Sequence, residues 1–184
     1  MVTSIRRAIV ATATALTLAL GGAAWATSAA AAAPAAVRAC PTSSLSVWVN
    51  LSAGSAAAGT DSWPLDFTNT GSRACTLDGY PGVSATNAAG AKLGRAAERQ
   101  PIFTAKTVTI PAGGTAHAYL FWLDVLNFPP SGCQPGTASL LKVYPPGRRS
   151  AADAFFSLQV CRSVKPLYQY LFVSAVQPGV GRAL

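Results

Sequence analysis

Only six of the 184 residues are acidic and only one is histidine. Those two shortages exclude more chemistry than anything the chain contains. Glycoside hydrolysis needs two carboxylates held roughly 5–10 Å apart, and the available set is Asp61, Asp66, Asp78, Glu98, Asp124 and Asp153, most of them at turns. Acyl transfer needs a nucleophile beside a base. There is no Gly-x-Ser-x-Gly elbow, and His117 has no Ser, Cys or carboxylate at a suggestive spacing, so it reads as a satisfied strand residue. Metal sites need closer ligands, such as a Cys-x2-Cys pair, and the four cysteines contain no such pair. No catalytic, metal-binding or cofactor-binding residue is therefore assigned. A Lys/Arg block with interleaved aromatics is missing as well, and Arg73, Arg95, Arg99, Lys106, Lys142, Arg148, Arg149 and Arg162 are scattered. Nucleic acid is accordingly not expected as a partner. The formal charge of +8 still permits attraction to an anionic surface.

What is present begins with a three-part leader. Arg6-Arg7 precedes an uncharged apolar run, Ala8–Ala24, and then Ala-rich sequence with several Ala-x-Ala steps. This is the pattern of a secretory signal peptide, expected over residues 1–33 with cleavage within 26–36. Ala8–Ala33 is also long enough to span a bilayer, but alanine is weakly apolar and small residues crowd the expected cleavage region. A flexible arm, 34–39, should follow. Cys40 is preceded by Val37-Arg38-Ala39, which puts an arginine where a lipoprotein signal wants a small or apolar residue, so lipid anchoring is not expected. The residues around Arg6-Arg7 match a twin-arginine signal poorly.

Four cysteines, Cys40, Cys75, Cys133 and Cys161, remain after the leader. An even number in an exported domain argues for two disulfides. Three pairings exist. Cys40 with Cys75 and Cys133 with Cys161 is favoured, because each bond then ties a strand edge to a later turn within one half of the chain.

The rest is turn-rich and strand-like. Leu45, Val47, Val49 and Leu51 alternate with Ser46, Trp48 and Asn50, leaving Trp48 on the less apolar face as a possible grip on a sugar or a partner. Trp63, Leu65 and Phe67 form an inward face, with Asp66 opposite. Asn69-Thr70-Gly71 supplies a turn through residues that tolerate positive φ, and Pro81-Gly82 fits a type II turn. A short hairpin is expected around Asn87–Gly90, and Arg95–Lys106 reads as a surface connection. Thr107–Ile110, Thr115–Leu123, Ser139–Tyr144, Phe155–Cys161 and Tyr168–Val176 complete the strands. The Thr115–Leu123 strand is apolar on both faces, as a covered central strand should be. Pro145-Pro146-Gly147 ends one strand, and Arg148-Arg149 tops the turn where it could read an acidic partner. Residues 178–184 are expected to be a loose tail. The sum is an all-β, two-sheet β-sandwich of about seven to nine short strands over residues 40–177.

Cys40, Leu65-Asp-Phe-Thr-Asn-Thr-Gly71, Cys75-Thr-Leu-Asp-Gly-Tyr-Pro-Gly-Val83, the Ala112–Ala116 turn, Cys133-Gln-Pro135, Val143-Tyr-Pro-Pro146, and Cys161 followed by Leu171–Pro178 together form a pattern. Through them the chain from Cys40 to Gly179 resembles a secreted and lipoprotein family of actinobacteria, domain-of-unknown-function family 4232. The resemblance implies an Ig-like sandwich outside the cytoplasm. It implies no activity, and it carries over no functional residue beyond the cystine positions.

The functional expectation is a secreted, non-enzymatic, monomeric binding module, with the cell envelope as a candidate place of attachment, whose partner is an extracellular protein or a cell-wall polymer. Loops Ser52–Asp61, Arg95–Lys106 and Asp124–Gly136 are its candidate surfaces, with Trp48, Arg148 and Arg149 as candidate contacts. An inhibitor of secreted proteases acting through the Arg148-Arg149 turn is the alternative, and a hydrolase the reading that the small acidic set disfavours.

Overall fold

The computed structural model describes residues 36–184, so the expected leader over 1–33 lies outside the described residues. Within them the chain is built from strands. The first five are β1 (Leu45–Val49), β2 (Ser55–Ala57), β3 (Thr60–Asn69), β4 (Cys75–Asp78) and β5 (Gly82–Thr86). After them come β6 (Glu98–Arg99), β7 (Thr107–Ile110), β8 (Thr115–Leu123), β9 (Pro135–Tyr144), β10 (Ala152–Cys161), β11 (Leu171–Val173) and β12 (Gln177–Pro178). The largest sheet runs β1-β3-β8-β11-β6, with β2 added to β3 and β12 to β8. A second sheet runs β10-β9-β5, and β4 pairs with β7 in a two-stranded ribbon.

Leu65, Phe67 and Leu120 from the large sheet share one buried core with Val83, Leu141 and Val160 from the second sheet and Leu77 and Ile110 from the ribbon. The fold is an all-β sandwich. The strands exceed the expected number because β2, β6 and β12 are two- or three-residue additions to sheet edges and ends, too short to show a period of two. No helix among the described residues is long and apolar enough to cross a membrane.

Where the hydrophobic pattern is clean, it dictates the strand. β1 buries Leu45, Val47 and Val49 and exposes Ser46 and Trp48, and β8 occupies the expected Thr115–Leu123. On β10, Phe156, Leu158 and Val160 point inward while Phe155 is exposed. Both expected disulfides are present, Cys40–Cys75 and Cys133–Cys161. At one end of the core Trp63 stacks on Trp122 with ring centroids 4.1 Å apart, and Phe156 meets Trp122 edge-on. Gly54 closes over this pair, and a Cβ there would overlap the Trp63 indole.

β3 departs from the expected alternation. Leu65, Asp66 and Phe67 are all fully buried, so Asp66 does not face water. Pro64 also lies inside a central strand, where proline is normally excluded because it cannot donate to the ladder. Its backbone faces the break between β1 and β2. There the neighbouring chain leaves the sheet in a 3₁₀ turn, Leu51–Ala53, after the Asn50 amide has donated to the Pro64 carbonyl. The missing N–H thus costs no sheet bond.

Several local expectations are corrected. Ser52–Asp61 is not all loop, since β2 turns back on β3 through Ala58 and Gly59, both at positive φ. Arg95–Lys106 contains β6, which pairs parallel to β11. The positive-φ residue near Pro81 is Gly79, with φ 92°, and not Gly82, so the corner is not the expected type II turn. The expected Tyr168–Val176 strand is divided into a 3₁₀ turn at Pro166–Tyr168 and the short β11. The arm 34–39 is not free where it is described, because the Thr76 amide donates to the Arg38 carbonyl and the Cys40 amide to the Thr76 carbonyl.

Residues 178–184 are not a loose tail. Pro178 pairs with Ala116 on β8, the Gly181 amide donates to Asp66 Oδ1 at 2.9 Å, and the Tyr119 hydroxyl donates to the Arg182 carbonyl at 2.9 Å. This segment covers the outer face of β3 and β8, which is why both Asp66 and Tyr119 are buried.

Candidate functional site

Two groups of polar residues stand apart from the core, and the first is enclosed. Asp66 and His117 are cross-strand neighbours on β3 and β8. Asp66 Oδ2 accepts from Asn50 Nδ2 at 3.3 Å while its other oxygen holds Gly181. His117 Nδ1 faces the Gly179 carbonyl at 2.9 Å, which requires that nitrogen to carry the proton. Burial pushes the Asp66 carboxyl above its ordinary value, against the opposing effects of the Gly181 amide, His117 and Asn50. The adjoining cleft is lined by His117, Tyr119, Gly179 and Arg182. His117 Nδ1 and the Tyr119 hydroxyl fasten the C-terminal segment to the sheet, and among the described residues no hydroxyl or thiol nucleophile is bonded to the imidazole.

The second group is open. β3 ends at Asn69, whose buried side chain is a hub. Its amide nitrogen donates to the carbonyls of Arg73 (2.8 Å), Ile110 (3.1 Å) and Pro111 (3.2 Å), and its Oδ1 accepts from the Gly71 amide (3.0 Å). The turn after β3 is therefore shaped by an Asx contact. Gly71 is not among the positive-φ residues, contrary to the expected use of positive φ there. The hub ties the β3–β4 turn to the β7–β8 turn. Beside it the Cys40–Cys75 disulfide fixes the arm to the start of β4. The Thr42–Ser44 3₁₀ turn is bonded to the β9–β10 turn, Thr42 Oγ1 donating to the Ser150 carbonyl at 3.1 Å and Ser150 Oγ to Thr42 Oγ1 at 2.9 Å.

Two clefts flank this 3₁₀ turn, and both include Pro41. One, of about 610 Å³, lies between the arm and the β3–β4 turn and carries Arg38 and Arg73. The other, of about 430 Å³, lies against the β9–β10 turn and carries Arg148. Arg149 is exposed next to it.

The expected site residues are thus divided between two places. Arg148 and Arg149 belong to this loop end. Trp48 stands on β1 opposite Asp66, exposes 39 % of its surface, and directs its indole N–H toward Thr68 Oγ1 at 3.4 Å. Of the three expected loops, Ser52–Asp61 and Asp124–Gly136 meet at the opposite end of β3, where the Asp124 amide and Asn127 Nδ2 both reach the Gly59 carbonyl. Arg95 is drawn away from solvent, its Nε donating to Gln169 Oε1. Arg38 and Arg73 were not singled out by the sequence. They lie 35 residues apart, and only the Cys40–Cys75 bond next to them gives a hint that they adjoin.

These features define a class: a disulfide-linked all-β sandwich with one polar group that fastens the fold and another on loops at one end. Residues 40–177 match the family Domain of unknown function (DUF4232), and the chain belongs to that family. No curated protein and no solved structure matches the chain.

Proposed function

We propose that this chain is an exported, non-enzymatic binding module that holds an envelope polymer or another extracellular protein through loops at one end of its sandwich. The observation that carries the reading is the loop end around Asn69. Four separate segments are fixed side by side there by a disulfide and side-chain hydrogen bonds, and they leave two clefts open to solvent. Loops held in place before binding lose less conformational entropy on contact. Export is supported by the leader pattern of residues 1–33 and by two disulfides, which persist in oxidising compartments.

Co-sedimentation of the mature domain with isolated envelope material, and pull-down from a secreted-protein fraction, test the proposal. Retention at micromolar concentration is expected from at least one of them. Background levels in both overturn it.

A further inference from the structure

The loop end carries four arginines and no acidic side chain in the segments that hold them, the nearest in sequence being Asp153 on β10. Arg38, Arg73, Arg148 and Arg149 lie in segments 36–44, 69–75 and 145–152, which contain no Asp or Glu. Elsewhere Arg95 donates to Gln169, Arg162 Nε donates to the Gln134 carbonyl, and Arg99 sits 5.4 Å from the centre of the Tyr80 ring, while Arg182 stands singly and exposed beside His117. Among the described residues, none of the four guanidiniums donates to a protein acceptor, and Arg148 Nε is the one buried side-chain polar atom without a partner. A shielded donor left unmet is costly, and a guanidinium that swings outward to an oxyanion removes that cost.

The backbone around these side chains is fixed. The Arg38 carbonyl accepts from Thr76, the Arg73 carbonyl from Asn69, and the Arg148 amide donates to the Pro145 carbonyl. Protein interfaces concentrate their energy in buried aromatic anchors, yet Val37 is the only large hydrophobic residue exposed in these segments.

We propose that this end binds a linear polymer bearing repeated oxyanions, phosphate or carboxylate, which crosses the ridge at Pro41–Ser44 and pairs with arginines in both clefts. Arginine's fork matches both groups in bidentate fashion. The proposal rests on the binding-module reading above and names the ligand chemistry of that site.

The test titrates the disulfide-bonded domain with long-chain inorganic polyphosphate and, separately, with polyglutamate. Four contacts at about −0.7 each predict about 50-fold weaker binding between about 50 and about 200 mM salt. The double variants R38Q/R73Q and R148Q/R149Q should each reduce that salt response to about 7-fold. K106Q/K165Q, which removes the same charge from exposed positions elsewhere, should leave it unchanged. Circular dichroism of each variant checks that the fold is kept.

Binding of either polymer with this pattern supports the proposal, and the ratio of the two affinities assigns the anionic group. No binding of either at about 50 mM salt, or an equal loss in K106Q/K165Q, overturns it. If envelope material retains R38Q/R73Q/R148Q/R149Q as well as it retains the wild type, the ligand assignment fails while the binding module stands.

Discussion

Replacing Asn69 tests whether the loop end is held by one side chain. Asn69→Ala removes two N–H donors shared among three carbonyls and one acceptor at a position that is 1 % exposed, leaving the Gly71 amide and the carbonyls of Arg73, Ile110 and Pro111 without them. Some of these groups regain water, so the loss is less than four full desolvation penalties, about 3–5 kcal/mol in all. For a domain of this size that corresponds to roughly a 10–15 °C lower Tm.

Asn69→Asp separates hydrogen bonding from packing. Its Oδ1 still accepts from Gly71, but the second carboxylate oxygen faces three carbonyl oxygens. The buried carboxyl should then have a folded-state pKa above its unfolded value. As pH rises, the unfolded chain releases its proton first, so the stability of this variant falls with pH until the folded-state pKa is passed. Urea unfolding of wild type, Asn69→Ala and Asn69→Asp across acid and neutral pH measures both effects. An Asn69→Ala cost below about 1 kcal/mol, or an Asn69→Asp cost that does not change with pH, refutes the hub.

Other expectations are simpler. Cys133→Ser/Cys161→Ser should lose about 3–4 kcal/mol, the chain-entropy value for a closed loop of 28 residues, read by urea unfolding against the oxidised wild type. Burial holds the Tyr170 hydroxyl, which donates to the Leu93 carbonyl, well above its ordinary pKa. Absorbance titration should therefore show at least one of the five tyrosines ionising only as the domain unfolds. Stability should fall as pH passes about 10, where the unfolded tyrosine ionises first. Asp66 also has a raised carboxyl pKa, so wild-type stability should fall as pH rises from about 4 through its folded-state value. Asp66→Asn should lack that segment of the profile, as matched unfolding curves would show.

What the sequence made legible was what repeats locally. The alternation of Leu45, Val47 and Val49, the two-faced apolar strand around Leu120, and the cystine pairing all have signals confined to one element or one half of the chain. Asp66 was misplaced because it alternates correctly between Leu65 and Phe67. Its burial comes from Gly181, 115 residues away, and no local pattern encodes that contact. β6 was missed for a related reason, since two residues have no period and Glu98–Arg99 becomes a strand only because β11 lies beside it. At the loop end, Arg148-Arg149 was visible as a pair on a turn. Arg38 and Arg73 joined it only through the arrangement of turns around Pro41 and Asn69.

The fastening of residues 178–182 has a consequence for resistance to proteases. A protease must draw the chain into its own active site as an extended strand. Here Gly179, Gly181 and Arg182 are each hydrogen-bonded to the sheet, so this segment must first be stripped from β3 and β8. Limited proteolysis of the native protein should therefore spare residues 178–182, and mass spectrometry of the digest would show no cut within them.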